Sequence, residues 1–296
     1  MRSLLIAFVL ISSTAAAAAE PTRVLFVTQS VGFRHKAVTR ENGQLSPAEI
    51  ALRDLGQKTG LFTVDATQDV AADFTKENLR NYDVVAFYTT GTLPIAEEDR
   101  DYFFNDWARQ EGHGVLGFHS AMDTYHDYAP YWDLIGGVFI AHAWNAGSVV
   151  HFEIHEENPI TRPFAETANE DGHFVIKDEI YQYRHFQPGR VRVLMSLDHA
   201  HSPTGTPVNT FYGYHVPLAW VRSYGGGKVY CNNLGHNEST WRNQAFLASI
   251  ANAVRWVRGE VEVDTTPNPT LQAEMEVKSK AAFEVGDFQA APQDKG

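Results

Sequence analysis

The sequence predicts an α/β protein with a mostly parallel sheet, helices on both faces of the sheet and long elaborated loops. Short apolar runs alternate with helix-like stretches, and a continuous apolar run is typical of a strand buried on both faces. The first half of the chain has the order strand, helix, strand, strand, helix, strand, which favours a parallel sheet covered by helices. No internal repeat and no second core are evident, so one domain is expected over residues 20–260.

Each element of the first half has its own local signal. Residues 23–28 form the first predicted strand, a short β-branched run. Ser46 then caps a helix that has a proline at its first position and Glu49 at its third, and Gly56 or Gly60 can end it. The remaining predicted elements are strands at 62–65, 83–88 and 115–118 and a helix at 97–110.

The second half has longer polar loops and fewer helical signals. Its predicted strands are 149–154, 190–197, 218–223 and 228–232, the last two joined by a turn of three glycines. Residues 241–258 give the clearest helical pattern, since apolar side chains recur along one face. After Glu260 the pattern dissolves, and residues 261–296 are predicted to be a loosely packed or disordered tail.

The first 19 residues resemble a secretory signal peptide. A cationic start is followed by an apolar run at 4–11 and by small residues at 15–19, which suit cleavage after Ala19. The pattern predicts a periplasmic or secreted protein, and a retained membrane anchor is the alternative. After cleavage no segment approaches the roughly 20 apolar residues of a spanning helix.

Composition excludes several classes of partner. The chain has 36 acidic and 24 basic residues, a net charge of −12 and no Lys/Arg cluster, so nucleic acid is not expected to bind. Neither a nucleotide nor a flavin is expected, because no G-x-G-x-x-G or P-loop motif occurs. Cys231 is the only cysteine, which precludes an intramolecular disulfide. The oligomeric state is left open, and the strand pair at 218–223 and 228–232 is compatible with a homo-oligomer.

Histidines follow several of the predicted strands. The chain has 13 histidines, and any one of them alone is more often structural than functional. Ligands of open α/β sheets bind beyond the carboxyl ends of the strands, where four histidines are expected: His35, His119, His236 and, placed less firmly in an aromatic loop, His142. Asp123 follows His119 closely, and Asp178 and Glu179 precede the run Tyr181-Gln182-Tyr183-Arg184.

The turn around His119 has a particular geometry. In Gly117-x-His119-x-Ala121, a strand-to-helix elbow flanked by small residues is expected to expose its central side chain above the sheet. An imidazole there suits general acid–base work or metal ligation. A triad based on Ser120 is disfavoured because Ser120 is expected to point elsewhere.

The chain resembles the ThuA-like (trehalose-utilisation) family, which is similar in fold to the class I glutamine amidotransferases. The resemblance spans about residues 22–258 and rests on an ordered set of short motifs: Gly32-Phe33-Arg34-His35, Gly117-Phe118-His119-Ser120-Ala121 with Asp123-Thr124, Leu134-Ile135-Gly136-Gly137 with His142, Asn158-Pro159-Ile160-Thr161, Asp178-Glu179-x-Tyr181 and Leu234-Gly235-His236-Asn237. It implies a flavodoxin-like sheet. It also places His119 where an amidotransferase has its cysteine, so glutaminase activity is not expected.

The family association implies disaccharide and keto-sugar catabolism. We therefore expect a periplasmic enzyme that hydrolyses, eliminates, hydrates or isomerises a keto-glycoside or disaccharide. The expected catalytic residues are His119, His236, Glu179 and Asp123. One divalent metal, Zn²⁺ or similar, is expected on His35, His119 and His142. The expected contacts to a small carbohydrate are Arg34, Tyr125, Trp144, Tyr181 and Asn237, although the aromatic residues after His119 can equally pack a long loop onto the sheet.

Two alternatives to an enzyme remain at the level of the sequence. The first is a non-catalytic periplasmic carbohydrate-binding protein in which the histidines serve as hydrogen-bonding groups. It predicts saturable sugar binding without turnover. The second is a paralogue that has kept the fold and lost the reaction.

Overall fold

A computed structural model describes residues 20–292, which form eleven strands and eight α-helices. The strands are β1 (Thr22–Val27), β2 (Phe62–Thr67), β3 (Val84–Phe87), β4 (Gly114–Phe118), β5 (Val138–Trp144), β6 (Val149–Ile154), β7 (Phe174–Lys177), β8 (Ile180–Arg184), β9 (Arg192–Leu197), β10 (Pro217–Tyr224) and β11 (Gly227–Asn232). The helices are α1 (Pro47–Thr59), α2 (Val70–Asp73), α3 (Lys76–Leu79), α4 (Glu97–Asn105), α5 (Ala129–Ile135), α6 (Arg162–Ala165), α7 (Gln244–Val257) and α8 (Pro269–Val285). The predicted signal peptide, residues 1–19, lies outside the described residues. None of the helices within 20–292 combines the length and the apolar character needed to cross a bilayer.

Nine strands form one mixed sheet in the order β2-β1-β3-β4-β11-β10-β9-β6-β7. The first five are parallel to one another. The other four continue the sheet by antiparallel pairing, because a tight glycine turn reverses the chain between β10 and β11. β5 and β8 form a separate antiparallel pair. The predicted α/β, flavodoxin-like fold is thus confirmed, with its parallel strands in one half of the sheet.

Helices cover both faces of the sheet, as predicted. Alternate residues of β1 point to opposite sides, since side chains along a strand alternate. Val24 and Phe26 belong to the core that includes residues of α1 and α7. Leu25 and Val27 belong to the core that includes residues of α4 and α5. The carboxyl ends of the parallel strands therefore meet at one edge between two helical layers.

The predicted start of α1 is confirmed. The Ser46 hydroxyl accepts a hydrogen bond from the Glu49 backbone N–H at 3.4 Å, and the Glu49 carboxylate accepts one from the Ser46 N–H at 2.8 Å. Gly60, at φ +68°, ends the helix. Reciprocal capping of this kind satisfies backbone donors that have no partner within the helix.

The expectation of a loose tail is wrong for residues 269–285, which form α8. Met275 is buried, and the Glu276 carboxylate accepts hydrogen bonds from the backbone N–H groups of Tyr214 at 2.8 Å and His215 at 2.7 Å. The buried residues of this helix are Gln272, Met275 and Ser279, of which only Met275 is apolar. A search for an apolar stripe misses it for that reason. The division of the chain into domains stays a prediction.

Two largely buried imidazoles flank the Ser196 hydroxyl. His155 Nε2 lies 2.8 Å and His215 Nε2 lies 2.7 Å from Ser196 Oγ. Burial, followed by the charge of Lys278, lowers the pKa of His155 to about 4. Burial, followed by the neighbouring His155 and His199, lowers the pKa of His215 to about 3. Below the ordinary histidine pKa of about 6.5, the unfolded chain therefore binds more protons than the native protein.

We expect this part of the stability to be fully present above about pH 6.5 and to be lost as the pH falls toward 4. Each imidazole contributes a slope of up to about 1.4 kcal/mol per pH unit. Urea unfolding between pH 7.5 and 4.5 measures it. The variant His215→Gln should show a shallower slope, whereas replacing the exposed His185 by Asn should keep the wild-type slope. Equal slopes for wild type and His215→Gln contradict the assignment.

Candidate functional site

Four side chains from distant parts of the sequence meet at the carboxyl edge of the sheet. His35 follows β1, His119 follows β4, His236 follows β11, and Glu179 follows β7. One ligand atom of each lies within 4.8 Å of the corresponding atoms of the other three. We call these four residues the histidine cluster. The expectation that His35, His119 and His236 converge is met, although up to 201 positions separate them in the sequence.

The contacts within the histidine cluster are short. His236 Nδ1 lies 3.0 Å from Glu179 Oε1 and 3.2 Å from His119 Nε2. His119 Nε2 lies 3.7 Å from the same carboxylate oxygen. The His35 ring is 4.9 Å from that of His119 and 5.0 Å from that of His236, edge to face in both cases. Three imidazoles and one carboxylate thus face a common point.

The backbone and one hydrogen bond fix the orientation of His119. Its φ of +42° lies in the left-handed region, which non-glycine residues adopt rarely. His119 Nδ1 lies 2.9 Å from the Asn233 carbonyl oxygen, which can only accept, so Nδ1 carries the proton and donates it. Nε2 therefore presents its lone pair to the histidine cluster, as in metal-binding histidines with a backbone partner.

The elbow at His119 differs from its expected form in two respects. It leads into a 3-10 helix, His119–Asp123, and the imidazole is buried. Tyr181 covers the ring at a centroid distance of 4.1 Å. The Ser120 hydroxyl is buried without a hydrogen-bond partner among the described residues, so the structure provides no Ser120 triad.

Burial and contacts set the charge states of the cluster. Burial, reinforced by His119 and His236, lowers the pKa of His35 to about 2, so this imidazole is neutral at physiological pH. Burial acts to raise the pKa of Glu179, but the adjacent imidazoles of His119 and His236 outweigh it and hold that pKa well below its usual range. A neutral imidazole and an ionised carboxylate are the forms that bind metal ions.

Two residues outside the histidine cluster, Asp178 and Asn233, hold neighbouring backbone segments in place. The buried Asp178 carboxylate accepts hydrogen bonds from the backbone N–H groups of Gly235 at 2.9 Å and Asn237 at 2.8 Å, which hold the loop that carries His236. Asn233 binds the backbone of Tyr181 through its amide oxygen and nitrogen, both at 3.0 Å. At the level of the sequence Asp178 has no assigned role, and Asn233 is not among the candidates. A polar pair directly after β11, Asn232-Asn233, was the available signal.

Two residues that the sequence assigned to metal binding or catalysis, His142 and Asp123, lie at the margin of the histidine cluster. The prediction that His142 is a metal ligand is corrected, because His142 is not part of the histidine cluster. It lies on β5, its side chain is 48% exposed, and its Nδ1 lies 3.3 Å from Glu179 Oε2. Asp123 binds His126 at 2.6 Å instead of a cluster histidine. The position of His142 follows from the β5–β8 pair, which the sequence pattern did not predict, whereas Asp123 pairs locally with a residue three positions further along the chain.

The predicted substrate contacts divide into two groups. Tyr125 and Trp144 are buried, and their polar atoms donate hydrogen bonds to the carbonyl oxygens of Leu93 and Ser202. These two side chains therefore pack against the protein, and the prediction that they contact a ligand is corrected. Tyr181 contacts the cluster directly, since its hydroxyl lies 3.3 Å from His35 Nε2. A cleft of about 650 Å³ opens beside His35 and His236 and is lined by, among others, Arg34, Lys177, Asn237 and Arg242.

Fold and site together define a flavodoxin-like α/β protein whose strand ends hold a buried cluster of three histidines and a glutamate. The chain belongs to the ThuA family, described as trehalose utilisation, whose family model matches residues 23–257.

Solved structures show the same fold. A ThuA-like protein from Bacteroides uniformis ATCC 8492 is 23% identical with a TM-score of 0.57, and the match covers 88% of this chain and 100% of that one. A ThuA-like protein from Parabacteroides merdae ATCC 43184 is 16% identical with a TM-score of 0.57, over 84% and 96%. The cytoplasmic protein STM1381 from Salmonella typhimurium LT2 is 13% identical with a TM-score of 0.50, over 79% and 99%. No curated protein sequence matches the chain.

Proposed function

We propose that this protein is an enzyme that hydrolyses, eliminates, hydrates or isomerises an oxidised sugar, a keto-glycoside or keto-disaccharide, with one divalent metal at the histidine cluster. The observation that carries the proposal is the convergence of three imidazoles and one carboxylate from four strand ends beside an open cleft. The family description, trehalose utilisation, supports a carbohydrate substrate. The signal-like pattern of residues 1–19 supports action in the periplasm or outside the cell.

The donor set fits a metal such as Zn²⁺. Three imidazoles with an open position are a known arrangement for catalytic zinc, and His35, His119 and His236 supply them. The His119–Asn233 hydrogen bond orients one ligand through its other ring nitrogen, as such sites require. A bound metal supplies Lewis acidity to polarise a sugar carbonyl.

Glu179 is the proton acceptor in this proposal. Its Oε1 faces His119 and His236, and its Oε2 faces His142. A keto group makes the neighbouring C–H acidic, and an ionised carboxylate beside the substrate can take that proton. The half-exposed His142 then links Glu179 to solvent for proton exchange.

A second cleft supplies flat surfaces for sugar rings. Its volume is about 720 Å³, and its lining includes Phe139 and the exposed Phe211 and Tyr212. The Phe139 ring contacts the tilted Tyr181 ring at a centroid distance of 4.2 Å and so connects this cleft to the histidine cluster. Aromatic faces with polar edges suit sugars. The two clefts leave room for both rings of a disaccharide.

Hydrogen exchange on a keto sugar tests the proposal. Untagged protein in D₂O should exchange the C–H hydrogen beside the carbonyl of a 3-keto-disaccharide, followed by proton NMR. Glu179→Gln keeps the shape of the side chain but cannot take the proton, so the rate should fall by about 10²–10⁴-fold. The control His185→Asn, an exposed histidine stacked on Trp132, should keep the rate. Saturable sugar binding without exchange or product would instead establish a non-catalytic carbohydrate-binding protein.

A further inference from the structure

A second group of histidines and a carboxylate lies at the opposite end of β7 from Glu179. His173 directly precedes β7, and Asp198 and His201 follow β9. One ligand atom of each lies within 4.8 Å of the others. His173 and Glu179 are six positions apart along an extended segment, so the two groups are up to about 20 Å apart. They are distinct sites in one sheet.

The Asp198 carboxylate is the centre of this group. Its Oδ2 lies 2.7 Å from His201 Nδ1 and 3.4 Å from His173 Nε2. Its Oδ1 accepts a hydrogen bond from the Ala200 N–H at 2.8 Å, which holds the turn. The Asp198 side chain is only 5% exposed, whereas that of His201 is 50% exposed. A buried anion thus faces two imidazoles, one of them accessible from solvent.

Neighbouring ring nitrogens lack partners. His151 on β6 packs at 5.7 Å from the His201 ring and 6.0 Å from the His173 ring. The Nδ1 atoms of His151 and His173 are both buried, and neither has a hydrogen-bond partner within residues 20–292. Buried polar atoms in native proteins nearly always have a partner. His173 faces Asp198 through its other nitrogen, Nε2, so it is the His151 Nδ1 that a water molecule or an ion in this group would satisfy.

We propose that His173, Asp198 and His201 bind a Zn²⁺ ion that stabilises the edge of the sheet. Two imidazole nitrogens and a carboxylate oxygen are donors that zinc prefers, and the exposed side of His201 leaves a position for water. The ion would join the turn after β9 to the start of β7, the last strand of the sheet. β7 leads directly to Asp178 and Glu179, so the ion would also stabilise the segment that carries the proton acceptor.

Zinc stoichiometry and melting temperature test this site. The full untagged chain is stripped with a chelator, reloaded with ZnCl₂, and analysed by elemental mass spectrometry and thermal melting. His201→Asn should bind one Zn²⁺ fewer per chain than wild type. In a His119→Asn background, in which the histidine cluster lacks one ligand, Zn²⁺ at 100 times its Kd should raise Tm by about 5–10 °C, and adding His201→Asn should remove that shift.

Two further variants complete the experiment. His185→Asn makes the same substitution at an exposed histidine outside both groups and should bind as much Zn²⁺ as wild type. His173→Gln should reproduce the loss seen with His201→Asn. Wild-type zinc content and an unchanged Tm shift in both His201→Asn and His173→Gln would overturn the proposal. Failure of His119→Asn to lose metal would count against the catalytic site alone.

Discussion

Replacing His119 by asparagine is expected to lower turnover of a keto sugar by at least about 100-fold and to remove the metal from the histidine cluster. Asparagine suits the test because it tolerates the left-handed backbone that His119 adopts, at φ +42°, better than alanine does. The variant loses the imidazole nitrogen that faces Glu179 and His236. Both the metal content and kcat should therefore fall together.

A matched control is present in the same chain. His185 also has a left-handed backbone, at φ +56°, and is exposed. His185→Asn should retain metal content and turnover, while far-UV circular dichroism checks that both variants are folded. A folded His119→Asn variant with wild-type kcat and metal content would eliminate His119 from the mechanism.

Replacing Asp178 by alanine is expected to cost about 3–5 kcal/mol of unfolding free energy. The buried carboxylate accepts hydrogen bonds from the N–H groups of Glu179, Gly235 and Asn237 and from the Thr240 hydroxyl. Alanine leaves these donors buried without an acceptor, and the loop that carries His236 loses its attachment. Urea unfolding measures the loss, and the metal content should fall with it.

Thr240→Val is the graded comparison for Asp178→Ala. It removes one donor to the carboxylate and leaves the other three in place, so it should cost only about 1 kcal/mol. A cost below about 1 kcal/mol for Asp178→Ala itself would show that water replaces the carboxylate, and that the loop does not depend on it.

Much of the fold follows from local patterns in the sequence. The apolar runs of β1, β3 and β4 are continuous because both faces of these strands are buried, which makes them easy to identify. The Ser46–Glu49 capping box likewise marks the start of α1 within the sequence itself. Strands β5, β7 and β8 lack such a pattern. β5 and β8 lie outside the main sheet, and polar and aromatic residues interrupt them, whereas β7 is a four-residue strand at the edge of the sheet, too short to show a period.

The site was predictable as far as strand ends determine it. His35, His119 and His236 follow parallel strands, and the carboxyl ends of such strands share one edge. Glu179 and His142 were assigned roles, but their positions depend on β7 and on the β5–β8 pair, and no local pattern predicts how those strands pack. The burial of Tyr125 and Trp144 could not be predicted either, because an aromatic residue in a loop can face solvent or the core.

The order of the chain has a consequence for biosynthesis. The histidine cluster combines the loop after the first strand of the sheet with the loop after β11, the last strand to be synthesised. A nascent polypeptide that has emerged only as far as β10 lacks His236 and cannot assemble the complete ligand set. The histidine cluster is therefore completed late in synthesis, once the loop after β11 has joined the loops after β1 and β4.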